Sequence, residues 1–281
     1  FDSARTVLDQ ADDVLGFRLS RLCFEGPEEE LRLTINAQPA LVALSFACLK
    51  AIHDMSGSNL LEPAFVAGHS LGEYTALAAA GVIDFATMVY LARERGRLMY
   101  EAGLKQPGAM AAIIGMDEVR LAEICRETDT QIANINCPGQ IVISGARENV
   151  GRATEMVAAK GWRAIPLPVS GAFHTPLMQS AYDGMAQILS GLSFRRPHVP
   201  IIANTSAQPL TTAVSIKEEL LWQLCHCVQW QRSIEYMVKG GVATFIEIGP
   251  GKVLTGLIKR TSKEVNTLNI GELQDIKNFS G

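Results

Sequence analysis

The sequence of 281 residues lacks both a long uninterrupted apolar run and a block of basic residues. No apolar stretch approaches the roughly 20 residues that a membrane-spanning helix needs. The 25 basic and 29 acidic residues leave a net charge of -4, which argues against electrostatic binding of nucleic acid. Because hydrophobic residues make up 48% of the chain and charged residues 19%, a disordered polypeptide is excluded. We expect a folded protein that binds neither nucleic acid nor a membrane.

Cysteines are also few, since only six occur and none forms a C-x-x-C pair. Cys225-His226-Cys227 is too tightly spaced for an ordinary zinc site. This usage is typical of reduced thiols, so we expect no metal and a cytoplasmic location. The sequence starts at Phe1 without an initiator methionine or a signal peptide, and a lost targeting segment stays an alternative.

Helical and strand-like patterns alternate along most of the chain, which predicts an α/β protein with a parallel sheet covered on both faces. Between residues 109 and 169 the order changes to βαββαβ, which is ferredoxin-like. We therefore predict an α/β-hydrolase-like catalytic domain, residues 1–104 and 171–281, with an inserted ferredoxin-like small domain, residues 105–170. The other predicted elements are helices at 3–15, 38–55, 84–100, 176–192 and 252–260, strands at 64–67, 199–203, 244–248 and 265–270, and one long or broken helix at 216–240.

Gly68-His69-Ser70-Leu71-Gly72 is a G-x-S-x-G motif between a predicted strand and a predicted helix. This context is typical of the sharp turn that presents a nucleophilic serine. The two glycines are expected to let neighbouring chain approach without a Cβ clash. The Leu71 N–H is placed to donate to an oxyanion, and the following helix N-terminus favours negative charge. The alternative is a glycine-rich turn with an ordinary helix-capping serine.

A serine hydroxyl needs a base, and five histidines compete for this role. His174 is favoured by position, because it lies in the loop between a predicted strand and the helix that starts near Pro176. His69 adjoins Ser70, but its side chain is expected to point away from Oγ. The remaining candidates, which stay open, are His53, His198 and His226.

Arg95 falls on the apolar stripe of the predicted helix at 84–100, four residues from Leu91 and four from Met99. A guanidinium aimed into an apolar face is costly unless it meets an anion. One interpretation is a clamp for a substrate carboxylate. The alternatives are a structural ion pair or a side chain that reaches out to solvent.

The chain resembles the malonyl-CoA:acyl carrier protein transacylases and the related acyltransferase domains of fatty-acid and polyketide synthases. The resemblance begins with the nucleophile motif, here Gly68-His69-Ser70-Leu71-Gly72-Glu73-Tyr74, and runs in order over nearly the whole chain. The other matching motifs are Gln38-Pro39-Ala40, Arg95-Gly96-Arg97-Leu98-Met99, Asn134-Ile135-Asn136-Cys137-Pro138-Gly139-Gln140, Gly171-Ala172-Phe173-His174-Thr175-Pro176-Leu177-Met178, Val228-Gln229-Trp230 and Glu247-Ile248-Gly249-Pro250-Gly251-Lys252-Val253-Leu254.

The resemblance implies that Ser70 is the acylated nucleophile, that His174 is its base and that Arg95 holds the free carboxylate of a malonyl group. The carbonyl oxygen of Gln223 would orient the histidine, so the pair is a dyad without an aspartate. Phe173 resembles malonyl-selective members, because a ring there narrows the space beside the substrate α-carbon. The further residues implied at the substrate are Leu71, His69, Met99, Asn134 and Asn136. The two asparagines would contact coenzyme A, unless they are hairpin residues only.

The implied reaction moves a malonyl group from malonyl-CoA to the phosphopantetheine thiol of acyl carrier protein, in fatty-acid biosynthesis. The resemblance implies no cofactor beyond the coenzyme A thioester, and we expect a monomer. Because carrier proteins are acidic, Arg163 with Lys160 nearby is a candidate docking patch; the alternative is a pair of solvated charges. The rival functions are a polyketide acyltransferase with another extender unit, a lipase-type serine hydrolase and a non-catalytic carrier-binding protein.

The sequence departs from the family pattern in two places. The family begins with a strand and a Gly-Gln-Gly-Ser-Gln loop that supplies a second oxyanion N–H. Phe1 stands after that point, so we expect this sequence to hold only part of the oxyanion hole. Cys225-His226-Cys227 stands where members commonly have Asn-Pro, and this departure bears on the helix end and on the orientation of Gln223.

Overall fold

The structure is a computed structural model that describes residues 2–56, 62–169 and 171–279, so Phe1 lies outside the described residues. The helices are α1 Asp2–Leu15, α2 Leu19–Glu25, α3 Glu28–Arg32, α4 Thr34–Ser56, α5 Gly72–Ala79, α6 Phe85–Lys105, α7 Glu118–Thr128, α8 Arg147–Ala159, α9 Gln179–Ser190, α10 Ala213–Cys225, α11 Trp230–Lys239, α12 Val253–Thr261 and α13 Leu273–Phe279. The strands are β1 Val66–Ala67, β2 Gly108–Ile114, β3 Gln131–Cys137, β4 Gln140–Ala146, β5 Arg163–Pro166, β6 Ile201–Ile202, β7 Pro209–Leu210, β8 Thr244–Ile248 and β9 Asn266–Ile270.

The α/β class is confirmed, although the strands outside the insertion form two short sheets in the described part of the chain. β1 pairs in parallel with β6, and β8 pairs in parallel with β9. β7 adds an antiparallel strand to β6, which the sequence patterns did not predict. The connection between β6 and β7 is a tight turn closed by hydrogen bonds at Ala203, and a connection this short allows only antiparallel pairing.

The βαββαβ segment forms one antiparallel sheet in the order β3-β4-β2-β5, as predicted for a ferredoxin-like unit. Its helices α7 and α8 pack against the sheet over a core of its own. Asp117 caps α7 by accepting a hydrogen bond from the Arg120 amide. The domain boundaries at 104/105 and 170/171 stay predictions.

Helix α4 begins earlier than predicted, because Thr34 and not Gln38 is its first residue. Pro39 therefore lies inside the helix and cannot donate to the carbonyl of Ile35. The Arg93 guanidinium, from α6, donates to that carbonyl at 2.9 Å instead. The otherwise unsatisfied acceptor thus helps to join α4 to α6.

Within the described residues, the stretch Thr34–Met55 is long and apolar enough to cross a membrane by length and composition alone. Core helices of globular proteins pass the same test, and this helix contacts α1, α3, α5, α6 and α13. The expectation of no membrane partner stays a prediction.

The predicted helix at 216–240 is broken into α10 and α11. The connecting segment places Val228 beside β3, where it donates to the Ala133 carbonyl and accepts from the Ile135 amide. These two bonds attach the antiparallel sheet to the segment that follows α10, the helix that carries Gln223. They also position the side chains of β3 near the G-x-S-x-G turn.

Candidate active site

The G-x-S-x-G turn connects β1 to α5 and holds Ser70 in the left-handed region, with φ of +51°. A Cβ on Gly68 would lie 1.9 Å from the carbonyl carbon of Gly72, so only glycine fits at position 68. A Cβ on Gly72 would meet no atom within 4 Å, so the expected clash at the second glycine is wrong. The absence of a side chain is therefore required at Gly68, which packs against the Gly72 backbone, and is not required at Gly72 itself.

The backbone amides that follow Ser70 hold the turn together, apart from that of Leu71. The amides of Gly72, Glu73 and Tyr74 donate to carbonyls within the turn. The Ser70 amide donates to the Asn204 side-chain oxygen at 2.6 Å. The Leu71 N–H takes no part in these bonds, so it is the donor placed to bind an oxyanion on an acyl group at Ser70.

His174 is the histidine that reaches the serine. Its Nε2 lies 2.9 Å from Ser70 Oγ, and its Nδ1 lies 2.7 Å from the backbone carbonyl oxygen of Gln223. A carbonyl only accepts, so Nδ1 carries the proton and the Nε2 lone pair faces the hydroxyl. Burial, with a smaller contribution from the Arg95 charge, lowers the pKa of His174 from 6.5 to about 3. The imidazole is therefore neutral at physiological pH and ready to accept a proton.

Arg95 is only 1% exposed and directs its guanidinium at the same hydroxyl. Nη2 donates to Ser70 Oγ at 3.0 Å and to Gln223 Oε1 at 2.7 Å, while Nη1 donates to Gln38 Oε1 at 2.7 Å. All three partners are uncharged, and the buried Nε has no partner among the residues that the structure describes. The alternatives of a side chain that reaches solvent and of a direct structural ion pair are both wrong for the described part of the chain. Burial lowers the pKa of Arg95.

His69 points away from the nucleophile, as expected, and lies against β3. Its Nε2 is 2.8 Å from Asn136 Oδ1 and 3.5 Å from Asn134 Nδ2. Its ring lies 5.6 Å from the Trp230 ring, and burial lowers its pKa. The Asn134 Oδ1 atom is buried and has no hydrogen-bond partner in the described ranges. Both asparagines thus adjoin the turn, which a role confined to the hairpin does not explain.

The remaining candidate residues make no hydrogen bond to Ser70 in the described part of the chain. Phe173 is half-buried and packs against both the large helical core and a cluster on the β2–β4 side. Met99 is buried, and its sulfur contacts the Gln38 amide at 3.5 Å, so it supports a residue that holds Arg95.

Lys160 and Arg163 are exposed, and Arg163 begins the edge strand on the side of the sheet opposite β3. The structure does not bring this pair to the nucleophile.

The sequence model of the acyl transferase domain family matches residues 2–278. The chain belongs to the acyl transferase family. A malonyl CoA-acyl carrier protein transacylase of Bacillus subtilis is 45% identical over 281 residues, covering 98% of this chain and 87% of the relative.

Solved structures agree with this family assignment. An acyl carrier protein S-malonyltransferase from Vibrio cholerae superposes with a TM-score of 0.95 at 39% identity, covering 99% of this chain and 92% of that one. A malonyl-transacylase in complex with its type II polyketide synthase acyl-carrier protein gives the same TM-score and identity, covering 99% and 91%.

In this acyl transferase, the departure at Cys225-His226-Cys227 does not disturb the site. The α10 helix ends at Cys225, and His226 is extended, with its ring nitrogen bonded to the Trp222 carbonyl at 2.8 Å. The carbonyl of Gln223 still accepts from His174. All six cysteines are free thiols, and burial is the largest cause that raises the pKa of each.

Three polar residues of the site were not predicted from the sequence as site residues. Gln38 binds Arg95, Asn204 binds the Ser70 amide, and Glu73 accepts hydrogen bonds from both Asn204 and Gln223. Glu73 is completely buried, and burial together with Glu219 raises its pKa well above 4.5. For Glu73, the sequence feature that could have indicated a site residue is a charge on the apolar face of the helix that follows the nucleophile. For Asn204, that feature is a polar residue directly after an apolar strand.

No three His, Cys, Asp or Glu side chains lie close enough to hold a metal ion in the described part of the chain. The groups assembled at Ser70 are instead a base, a fixed cation and a backbone donor. This set can activate a hydroxyl, bind an anionic substrate group and stabilise an oxyanion.

Proposed function

We propose that this chain transfers a malonyl group from malonyl-CoA to the phosphopantetheine thiol of acyl carrier protein, in fatty-acid biosynthesis. One observation carries the proposal: His174 Nε2 and Arg95 Nη2 both contact the Oγ of Ser70, at 2.9 and 3.0 Å. A base and a buried cation thus meet at one hydroxyl. The Bacillus subtilis relative, 45% identical, carries the name of this activity.

In the first half-reaction, Ser70 Oγ attacks the thioester carbonyl while His174 removes its proton. A C–O bond forms, and the Leu71 N–H donates to the oxyanion that develops on the carbonyl. When the C–S bond breaks, the imidazolium returns its proton to the leaving thiolate. The products are malonyl-Ser70 and free coenzyme A, and the backbone carbonyl of Gln223 keeps the imidazole oriented throughout.

Arg95 provides selectivity for a group with a second carboxylate. Among the described residues, no carboxylate contacts its buried guanidinium directly and no partner accepts from its Nε. A malonyl carboxylate would supply both the missing negative charge and an acceptor for Nε, because a guanidinium binds a carboxylate through paired N–H donors. An acetyl group has no carboxylate and would supply neither. Phe173 narrows the space available to a branched α-carbon.

In the second half-reaction, the carrier-protein thiol gives its proton to His174 and attacks malonyl-Ser70. The new thioester leaves and Ser70 Oγ takes the proton back, which restores the free enzyme. No cofactor enters this scheme, because the serine, imidazole and guanidinium supply the chemistry. The exposed charges of Lys160 and Arg163 are proposed to receive the acidic carrier protein. We further propose a cytoplasmic monomer.

The same transfer to a polyketide carrier protein is the second candidate function. It is favoured by the likeness to the malonyl-transacylase whose structure holds a type II polyketide synthase carrier protein. The chemistry at Ser70 is identical in both cases, so the choice between them depends on the surface that receives the carrier.

The proposed reaction is tested by incubating the protein with malonyl-CoA and a holo carrier protein and measuring malonyl-carrier by mass spectrometry. The matched control is the apo carrier protein, which lacks the phosphopantetheine thiol. We expect malonyl-carrier only with the holo form, and far less product from methylmalonyl-CoA or acetyl-CoA. Hydrolysis of malonyl-CoA without transfer would contradict the proposal and favour a serine hydrolase. No reaction at all would favour a non-catalytic carrier-binding protein.

A further inference from the structure

Arg95 and Glu73 are both fully buried, with the Gln223 side chain between them. Gln223 Oε1 accepts from Arg95 Nη2 at 2.7 Å. Gln223 Nε2 donates to Glu73 Oε2 and to the Ser70 carbonyl. The amide can take only one orientation here, because reversing it would place a donor against the guanidinium.

The hydrogen bonds around Glu73 match an ionised carboxylate. Oε1 accepts from the Asn204 amide and from Asn204 Nδ2, both at 3.1 Å, and Oε2 accepts from Gln223. Every one of these contacts comes from an N–H donor, and a protonated carboxyl would find no acceptor among them. These donors favour the anion, and they oppose burial and the Glu219 charge, which raise the pKa of Glu73.

Glu73 is also linked to the nucleophile Ser70, through the side chain of Asn204. Because Asn204 Nδ2 donates to Glu73 and to the Gly68 carbonyl, its Oδ1 must face the Ser70 amide, from which it accepts at 2.6 Å. Glu73 therefore sets the orientation of two side-chain amides. One of them holds the nucleophile turn, and the other holds Arg95.

We propose that Glu73 is a positioning residue that supplies the counter-charge of Arg95 through the Gln223 amide, so that the guanidinium is oriented by an anion it does not touch. A carboxylate in direct contact would neutralise the guanidinium and occupy the N–H donors that the substrate needs. Separation by one amide keeps the charge balanced and occupies one Nη2 hydrogen, while the Nε–H has no protein partner among the described residues. This inference rests on the proposed malonyl transfer.

Two variants of Glu73 separate charge from shape. Glu73→Gln keeps the size but removes the charge, and its amide NH2 would face an N–H donor of either Asn204 or Gln223. Glu73→Asp keeps the charge but shortens the side chain. The matched control is Glu219→Gln, which neutralises the other buried carboxylate; Glu219 bonds to Thr205 and makes no contact with Arg95, Gln223 or Ser70 in the described part of the chain.

The readout is the ratio of malonyl to acetyl loading rates per active site, with active sites counted by acylation of Ser70. We expect Glu73→Gln to lower this ratio by at least about tenfold, the size expected for a misplaced hydrogen bond to a charged group. Glu73→Asp should retain most of the ratio at a lower overall rate. Glu219→Gln should keep the ratio at or above that of wild type, because loss of the Glu219 charge favours the Glu73 anion. A purely structural role would reduce the number of active sites and leave the ratio unchanged.

An unchanged ratio in Glu73→Gln would overturn the proposal. If that variant does not fold, a Glu73→Asp ratio as low as that of Arg95→Ala would overturn it independently. Wild-type protein that forms no malonyl adduct would instead refute the proposed function, so the two failures are distinguishable.

Discussion

The Nη2 atom of Arg95 donates to the Oγ of Ser70 at 3.0 Å, so the cation and the nucleophile are in direct contact. The same oxygen lies 2.9 Å from His174 Nε2. An oxygen that accepts from a guanidinium can still donate its own proton to an imidazole. The groups proposed to select the acyl group and to activate the nucleophile therefore meet at a single atom.

Arg95→Ala should depress malonyl loading far more than acetyl loading. Hydrogen bonds to a charged group contribute about 1.5–3 kcal/mol each, so loss of a paired contact should cost malonyl about a hundredfold. Acetyl has no carboxylate to lose. Stopped-flow or quench measurements of both loading rates check this, with Arg95→Lys as a control that keeps the charge without the paired donors. Equal losses for the two acyl groups would refute the clamp.

His174 should remain neutral through the weakly acidic range. Burial and the Arg95 charge lower its pKa from 6.5 to about 3, so the base form persists as the pH falls through 6.5. NMR of 13C-labelled histidine, with the His174 signal assigned by its absence in His174→Gln, should show no titration of this ring near pH 6.5. A midpoint near 6.5 would contradict the buried, neutral base.

The same shift in the His174 pKa predicts a direction for stability. Below pH 6.5 the unfolded chain binds a proton at this residue and the folded chain does not. His174 therefore lowers the free energy of unfolding progressively as the pH falls from 6.5 toward 3. Urea unfolding of wild type and His174→Gln at several pH values should show the loss in wild type to be the larger. Parallel curves for the two proteins would contradict this.

Alanine should destabilise the protein at Gly68 but not at Gly72, the two glycines of the nucleophile turn. A Cβ on Gly68 would lie 1.9 Å from the Gly72 backbone, whereas a Cβ on Gly72 would meet nothing within 4 Å. Gly68→Ala should lower the free energy of unfolding by at least about 1–3 kcal/mol, the usual cost of overpacking. Gly72→Ala serves as the matched control and should unfold like wild type. Similar stabilities for both variants would show that the turn can relax.

Much of the fold follows from local sequence patterns, and the exceptions have identifiable causes. The βαββαβ unit was predictable because its strands and helices carry regular periods and Asp117 marks a helix start. Helices α2 and α3 were missed because they are short and show no sustained period. The start of α4 was misplaced because Pro39 is typical of a first turn. Its cost inside the helix is offset by Arg93, which donates to the Ile35 carbonyl from 58 residues further along the chain.

The candidate site divides in the same way. Ser70 and Arg95 were predictable, since each departs visibly from its local pattern. His174 could only be favoured by position among five histidines, because its contact with Ser70 spans 104 residues. Glu73 was not predictable as a site residue, because its partners Asn204 and Gln223 lie 131 and 150 residues away. Its meaning depends on a three-dimensional hydrogen-bond pattern that no local period encodes.

Charge reversal at the proposed docking patch should weaken transfer without affecting loading. Arg163 is exposed on β5, roughly 14 Å across the sheet from β3 at about 4.8 Å per strand. Arg163→Glu should raise the KM for holo carrier protein several-fold, more so at low salt, and leave the rate of Ser70 acylation by malonyl-CoA unchanged. Unchanged transfer kinetics would remove this residue from the docking surface.

The central claim, that Ser70 carries a malonyl group selected by its own carboxylate, is tested most directly by intact mass spectrometry. The protein is incubated with equal concentrations of malonyl-CoA and acetyl-CoA, and the adduct is located by peptide mapping. We predict a malonyl adduct on Ser70 that greatly exceeds any acetyl adduct and is absent from Ser70→Ala. Equal malonyl and acetyl adducts, or a malonyl adduct that persists in Ser70→Ala, would contradict the claim.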